Sequence, residues 1–212
     1  MRTTIIMIAG LAALCLTAHA ADEEGFTELF NGKDLSGWKL NETPESFKVA
    51  DGVLIANGPR CHLFYTGDVN GGKFTDFEAK LKVLIKPKSN AGFYFHTAFQ
   101  DEGWPKKGFE AQLCATSYEK DAKKTGSLYG VVNVMDTAPH ADDEWFDYYI
   151  KVQGKKVTIK VNGKTTVEYT EPEKVEKAKG GFDRRIDSGT FAIQCHDPVS
   201  EVHFKSIKVK PL

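Results

Sequence analysis

Three strand-like segments carry, along one of their two faces, residues that can move protons or hydrogen-bond to sugars. The segments are 92–97, 109–114 and 191–196, and side chains alternate between the two faces of a β-strand. One face of each segment is apolar, as Phe93 and Phe95 show for the first. The opposite faces carry Tyr94, His96, Glu110, Gln112, Gln194 and His196. Carboxylate, imidazole and amide groups suit general acid–base chemistry and the binding of carbohydrate hydroxyls.

A simpler interpretation of these faces stays open, because half-buried antiparallel strands have polar outer faces by default. Such faces usually carry lysine and threonine, as Lys156, Thr158 and Lys160 do in this chain. Imidazole and amide side chains favour a binding or catalytic groove instead, and Asp197 adds a carboxylate directly after His196.

Two loops supply further candidates for the edge of this groove. Residues 101–108 place Trp104 in a polar turn, where an indole can stack on a sugar ring or pack beneath the loop. Residues 124–130 bring Lys124, Ser127 and Tyr129 together, either at a groove edge or in an ordinary glycine turn. Arg60 is a further candidate for sugar binding.

A metal site is only weakly indicated. His140 and the carboxylates of residues 142–144 could bind a divalent cation, but a run of carboxylates in a loop is usually just solvated. The sequence shows neither a metalloprotease HExxH motif nor a Ser-His-Asp order. No cofactor is certain, and a divalent metal stays open.

The elements that would position these residues are strands throughout most of the chain. Residues 77–85 alternate apolar and polar side chains, and 149–152, 157–161 and 166–169 repeat the pattern. Asp51-Gly52 and Asn162-Gly163 predict tight hairpins, and residues 153–155 predict a third turn. Further strands are predicted at 47–49, 53–56, 93–97, 109–115, 191–196 and 202–209. Residues 171–179 could form a helical turn or two, or an exposed connector.

Many short strands with almost no helix predict an all-β sandwich or barrel, and the apolar C-terminal strand favours the sandwich. Residues 21–212 suffice for one sizeable core, so a single domain is expected. The 28 Lys and Arg residues nearly balance 29 Asp and Glu residues, which argues against a nucleic-acid partner.

The N-terminal residues 1–20 are typical of a signal peptide. Arg2 precedes an apolar run that is too short to span a membrane comfortably, and Ala18-His19-Ala20 fits a signal peptidase site. The mature chain, 21–212, is therefore expected to be periplasmic or secreted, with no membrane attachment.

Three cysteines remain after the predicted signal peptide, namely Cys61, Cys114 and Cys195. Their odd number and spacing indicate neither a disulfide framework nor a zinc site. One bridge could form in an oxidising compartment, but the sequence does not select the pair. Cys114 and Cys195 lie in apolar runs typical of buried thiols.

Several motifs in order along the chain resemble those of the 3-keto-disaccharide hydrolase family, also described as 3-keto-glucoside 1,2-lyase/hydratase domains. The opening motif is FTELFNGKDLSGW at 26–38, followed by SNAGFYF at 89–95, GFEAQ at 108–112 and TGSLY at 125–129. Glu144-Trp145 and Val161-Asn162-Gly163 match later elements, so the resemblance runs from about Phe26 to Leu212. The chain departs from the family pattern at His96, where many members carry Arg, and at Phe146 in place of Asn.

The resemblance implies a concanavalin A-like jelly-roll sandwich of two antiparallel sheets, with an oxidised (3-keto) glucoside or another glycan on the concave sheet. It implies β-elimination: a base removes the C2 proton beside a C3 ketone, the C1 oxygen leaves, and water adds back. Glu110 or His196 is then the expected base, and His96 is a donor to the enolate or the leaving group. The residues expected to bind the sugar are Arg60, Tyr94, Trp104, Gln112, Lys124, Ser127, Tyr129, Gln194 and Asp197. The alternatives are a non-catalytic, lectin-like glycan-binding module and a partner-binding exported domain.

Overall fold

The computed structural model describes residues 23–175 and 179–212. The predicted signal peptide lies outside these residues. Among the residues that are described, no helix is long and apolar enough to cross a membrane.

The described residues form two antiparallel sheets. The larger sheet has the order β11-β10-β9-β6-β13-β4-β3, with β1 paired to β13. Its strands are β1 (Thr27–Glu28), β3 (Phe47–Ala50), β4 (Val53–Asn57), β6 (Phe77–Ile85), β9 (Trp145–Gln153), β10 (Lys156–Val161), β11 (Lys164–Thr170) and β13 (Glu201–Pro211). The smaller sheet has the order β2-β5-β12-β7-β8. Its strands are β2 (Trp38–Leu40), β5 (Cys61–Tyr65), β7 (Asn90–Thr97), β8 (Phe109–Cys114) and β12 (Thr190–Cys195). The predicted all-β sandwich of two antiparallel sheets is confirmed.

The core lies between the sheets and is rich in aromatic rings. Phe74 and Phe191 pack with ring centroids 4.5 Å apart, and Phe77 meets Phe191 edge-on at 5.0 Å. All three rings are fully buried. Each side chain removed from water in this way contributes about 1.5–3 kcal/mol to folding. The apolar faces of β7, β8 and β12 supply one wall of this core, so their polar faces must point out of the sandwich.

The tight hairpins form where the sequence predicts them. Asn162 and Gly163 both have positive φ, 48° and 76°, and join β10 to β11. Asp51 and Gly52 do the same between β3 and β4. These left-handed conformations match the twist of an antiparallel pair, which explains the Asn-Gly and Asp-Gly signals.

Two elements of the smaller sheet, β2 and β5, were not predicted. All five residues of β5 are buried, because its outer face is covered by side chains from the loop after β7, including Phe99 and Trp104. A strand covered on both faces shows no alternation of polar and apolar residues. The helix considered at 171–179 does not form over 171–175. A short 3-10 turn occurs at Lys179–Gly181, and residues 176–178 lie outside the described part.

Candidate functional site

A cleft of about 660 Å³ lies on the outer face of the smaller sheet. Its floor consists of side chains from β7, β8 and the end of β12, namely Asn90, Tyr94, Glu110, Gln112, Gln194 and His196. Its walls come from loops and from β11, and include Trp104, Asp121, Tyr129, Tyr169, Lys174, Phe182 and Arg184. The polar faces of the three predicted strands therefore do converge on one site.

Glu110 is the buried carboxyl group of this floor. It is only 7% exposed, and Gln194 Nε2 donates to its Oε1 at 2.9 Å. The same amide nitrogen donates to the Tyr94 hydroxyl at 3.0 Å, so the three side chains form one network. Burial raises the pKa of Glu110 to about 7, although hydrogen bonds from Tyr94 and Gln194 and the charge of Arg184 favour the ionised form. A carboxyl with this pKa can donate or accept a proton near neutral pH.

Gly92 makes room for the Glu110 side chain. The two residues lie on the neighbouring strands β7 and β8, where Gly92 pairs with Gln112 and Tyr94 with Glu110. A Cβ atom on residue 92 would collide with the Glu110 carboxylate. Gly92 is therefore needed to leave space for the carboxyl group, and it does not form a turn.

His196 is oriented by Asp197. Its Nδ1 lies 2.8 Å from Asp197 Oδ2, which also accepts a hydrogen bond from the Tyr118 hydroxyl at 3.0 Å. Burial acts to raise the pKa of Asp197, but hydrogen bonds from His196, Ser200 and Tyr118 outweigh it and lower the pKa. Asp197 is therefore a carboxylate at neutral pH, and Nε2 is the ring nitrogen left for a ligand in the cleft.

Trp104 packs against His196 and also contacts the Arg60 guanidinium at the edge of the cleft. The two rings have centroids 5.2 Å apart at an angle of 36°. The Arg60 guanidinium lies over the indole at 5.3 Å and is paired with Glu42 at 2.7 Å. Trp104 thus fixes the imidazole from one side, and Arg60 contacts the wall of the cleft rather than its floor.

Tyr129 and Asp121 form a second polar group on the wall. The Tyr129 hydroxyl donates to Asp121 Oδ2 at 2.7 Å, and Lys123 Nζ lies 3.3 Å from Asp121 Oδ1. Burial and the neighbouring carboxylate raise the pKa of Tyr129, so the phenol stays protonated. Burial acts to raise the pKa of Asp121, but hydrogen bonds from Lys123 and Tyr129 outweigh it and lower the pKa, so Asp121 is a carboxylate at neutral pH.

Arg184 lines the cleft although the sequence pattern does not predict it. Its Nη1 donates to the carbonyls of Gly108 at 2.8 Å and Pro105 at 3.3 Å, which fixes the guanidinium at the cleft beside Glu110. It also lies over the rings of Phe182 and Tyr94, at 4.6 Å and 6.0 Å. Strand alternation does not predict Arg184, because its segment is not a strand. Residue 183 makes backbone hydrogen bonds to residues 106 and 108, just before β8.

His96 does not reach the cleft, contrary to the prediction from alternation. Phe95 and His96 together oppose Phe191, since the pairing of β7 with β12 shifts between Thr190 and Ala192. His96 has a φ of 57° in this bulge, which turns its ring away from the face that Tyr94 occupies. The ring is fully buried, donates from Nε2 to the Thr75 carbonyl at 2.8 Å and accepts from the Asp187 amide at 3.2 Å. Its place is structural.

Lys124 and Ser127 also lie outside the cleft. Lys124 is 3% exposed, and its Nζ donates to the carbonyls of Tyr118 at 2.6 Å and Asp121 at 2.7 Å. Ser127 is fully buried and donates to the Lys124 carbonyl. Both side chains hold the loop that presents Tyr129, because a buried ammonium and hydroxyl must find acceptors within the protein.

His62 lies beneath Trp104 on the outer face of β5. It is fully buried, edge-on to Trp104 and Tyr94, and neither ring nitrogen has a hydrogen-bond partner among the described residues. Burial lowers the pKa of His62 to about 3. The imidazole is therefore neutral, and it packs as an aromatic ring.

The described residues contain no group of three or more His, Cys, Asp or Glu side chains placed to hold a metal ion. His140 stacks on Phe146 at 4.1 Å and bonds to Thr125, while Asp142 and Asp143 pair with Ser117 and Lys86. These partners account for His140 and for two of the three carboxylates that the sequence suggested as cation ligands.

Comparison with known proteins identifies similar chains. The family model described as a 3-keto-alpha-glucoside-1,2-lyase-like domain matches residues 25–210. A candidate glycosyl hydrolase from Parabacteroides distasonis ATCC 8503 superimposes with a TM-score of 0.76 and is 26% identical, over 91% of this chain and 96% of the other. A second from the same organism has a TM-score of 0.63 and 21% identity, over 88% of this chain and 99% of the other.

A carbohydrate-binding module of Bacillus subtilis shares the fold at a TM-score of 0.50 and 12% identity, over 88% of this chain and 95% of the other. No curated protein sequence matches the chain significantly.

Proposed function

The chain belongs to the 3-keto-alpha-glucoside-1,2-lyase-like domain family, and we propose that it cleaves 3-keto-glucosides in the cleft by β-elimination. The observation that carries this proposal is the presence of two proton-transfer groups in one cleft. They are Glu110, with a pKa of about 7, and His196, oriented by the Asp197 carboxylate.

The reaction needs three functions from the protein. A C3 ketone acidifies the C2 proton, so a base must stand near C2, and a donor must stabilise the enolate oxygen as charge develops. An acid must protonate the glycosidic oxygen as the C1–O bond breaks. Addition of water to the unsaturated product then gives net hydrolysis.

We assign the base to His196 and the acid to Glu110. His196 holds its Nδ1 on Asp197, so Nε2 can accept the C2 proton while the carboxylate stabilises the imidazolium that forms. Glu110 is protonated below about pH 7 and can give its proton to the departing oxygen.

Arg184 takes the donor role that the sequence analysis gave to His96. Its Nη1 is fixed by two backbone carbonyls, so the guanidinium is held in place before a ligand arrives. A fixed cation stabilises a developing enolate without reorganising during the reaction. The amides of Gln112 and Gln194 and the Tyr129 hydroxyl line the same cleft and are suited to bind sugar hydroxyls.

The cleft is less suited to an ordinary glycosidase mechanism. That mechanism needs two carboxyl groups flanking the anomeric carbon. The carboxyls among the described lining residues are Glu110 and Asp121, and Asp121 is tied to Tyr129 and Lys123. One carboxyl group with a pKa near 7, in the same cleft as an oriented histidine, fits elimination better than double displacement.

The test measures aglycone release from chromogenic α- and β-3-keto-glucosides, with the unoxidised glucosides as control substrates. We expect release from a keto compound alone, lost in Glu110→Gln and His196→Ala. Glu168→Gln, an exposed carboxyl on β11, is the matched control and should keep full activity. Full activity in both cleft variants contradicts the assignment. Binding of sugars without release from any substrate would identify a glycan-binding module instead.

A further inference from the structure

Cys61 and Cys195 face each other directly beneath the floor of the cleft. They are Cα partners in the antiparallel pair of β5 and β12, one residue along from the pair His62 and Gln194. Because side chains alternate, the two thiols point into the core while His62 and Gln194 point outward. Both cysteines are buried, at 0% and 1% exposure, and both are thiols in this structure.

The register gives these two residues the spacing of a disulfide. Directly opposed residues of an antiparallel pair have Cα atoms about 4.5–5.5 Å apart, and a disulfide requires about 4.4–6.8 Å. Cys61 Sγ contacts the Asn41 side chain at 3.6 Å, and Cys195 Sγ contacts the Gly58 carbonyl at 3.3 Å. Both contacts are weak sulfur interactions that a change of rotamer can give up.

Cys114 is excluded as a partner by the strand order. It lies on β8, and β7 separates β8 from β12. Two strand spacings amount to about 10 Å, beyond the reach of a disulfide, and β5 is one strand further away.

We propose that Cys61 and Cys195 form a cross-strand disulfide, made as the chain folds by exchange with a disulfide oxidant such as oxidised glutathione or a thiol oxidoreductase. One cysteine thiolate attacks the oxidant disulfide, forms a mixed disulfide and expels one thiolate. The second cysteine thiolate attacks the protein sulfur and expels the other. The protein loses two electrons and two protons, and the oxidant leaves as two thiols.

The disulfide would stabilise the margin of the smaller sheet, where β5 lies. Among the described residues, one edge of β5 pairs with the three residues of β2, and its other edge makes four pairs with β12. A covalent link between β5 and β12 would fix this margin of the sheet under His62 and next to His196. The N-terminal residues predict export, which would supply an oxidising compartment.

The folded thiols should react slowly, so the bond is expected to form during folding. Burial raises the pKa of Cys195 to about 12, which leaves little thiolate at neutral pH. Oxidised glutathione added during refolding should therefore link the cysteines much faster than the same reagent added to the folded, reduced protein.

The experiment is peptide mapping of the full chain, refolded with reduced and oxidised glutathione, alkylated, and digested with trypsin without reduction. The four cysteines fall in four different tryptic peptides, 3–33, 61–73, 108–120 and 186–205. We expect 61–73 linked to 186–205 in the monomeric fraction, and 108–120 alkylated. The link should persist in Cys114→Ala and vanish in Cys61→Ala.

Thermal unfolding supplies the second measurement. Reduction should lower the Tm of the linked protein by about 5–10 °C and leave Cys61→Ala and Cys195→Ala unaffected. Four alkylated peptides after refolding, a link through 108–120, or a link confined to dimers would each overturn the proposal. A linked protein whose Tm does not respond to reductant would overturn the stabilising role.

Discussion

At the scale of single residues, the surroundings of Glu110 and Asp197 shift the pKa values of two carboxyl groups in opposite directions. Glu110 has its pKa raised to about 7 by burial, whereas hydrogen bonds lower the pKa of Asp197. Two carboxyl groups with such different pKa values can serve an acid role and an orienting role at the same pH. The surroundings of each group, rather than its residue type, decide which role it takes.

The pH dependence of cleavage distinguishes the two possible roles of Glu110. If Glu110 is the acid, kcat/KM for a 3-keto-glucoside should fall about tenfold per pH unit above about pH 7, as the carboxyl loses its proton. The measurement is the pH profile of the wild-type protein. A rate that does not fall above about pH 7 would contradict the acid role of Glu110.

Replacing Asp197 tests whether it orients His196. Asp197→Asn removes the carboxylate that stabilises the imidazolium, and we expect kcat to fall roughly 10²-fold with KM changed little. Ser200→Ala is the matched control, because Ser200 donates to the other oxygen of Asp197, at 3.0 Å. That variant should stay within about threefold of wild type. Equal losses in both variants would indicate a structural role for Asp197.

At the scale of elements, strand alternation predicts most of the floor of the cleft and fails at irregular positions. Tyr94, Glu110, Gln112 and Gln194 lie where regular strands place them. His96 does not, because a bulge shifts the register between β7 and β12. No residue type in this part of the sequence predicts that bulge. Arg184 comes from a segment without regular structure, and its position depends on tertiary contacts that local sequence does not encode.

The Glu110 side chain packs closely over Gly92, which lies on the neighbouring strand. Adding one methyl group at residue 92 tests whether this close packing matters. Gly92→Ala should reduce cleavage and cost about 1–3 kcal/mol in the free energy of unfolding, because its Cβ collides with the Glu110 carboxylate. Strand geometry alone would favour alanine over glycine here. In a Glu110→Ala background the collision partner is gone, so the same change should cost little. Chemical denaturation of the four proteins checks this cycle, and an equal cost in both backgrounds would contradict the collision.

At the scale of the whole molecule, the sequence predicts the sandwich well because hairpin signals and period-two alternation are local properties. Asn162-Gly163 and residues 77–85 each fix an element without information from elsewhere. β5 escapes prediction because both of its faces are covered, and what covers it comes from a loop more than thirty residues away. The floor of the cleft can therefore be predicted from local strand patterns, whereas the positions of its walls depend on tertiary packing.

The pH dependence of global stability should show two buried groups acting in opposite directions. Glu110 has a pKa of about 7 in the folded protein, whereas an ordinary glutamate has 4.5, so between these values only the folded state holds the proton. Its contribution to the free energy of unfolding is present below pH 4.5 and falls by about 3 kcal/mol as pH rises through 7. His62 has a pKa of about 3 in the folded protein, whereas an ordinary histidine has 6.5, so between these values only the unfolded state binds the proton. Its contribution falls as pH decreases.

Variants separate the two contributions, because each removes one titrating group from the folded core. Urea denaturation between pH 4 and 8 should show Glu110→Gln gaining on wild type as pH rises, by about 3 kcal/mol overall. His62→Phe should gain on wild type as pH falls, by about 3 kcal/mol at pH 4, since His62 packs as an uncharged ring between Trp104 and Tyr94. Parallel pH profiles for wild type and either variant would mean that the group titrates alike in the folded and unfolded chains. Opposite slopes would show that Glu110 and His62 act on the stability of the whole molecule from opposite ends of this pH range.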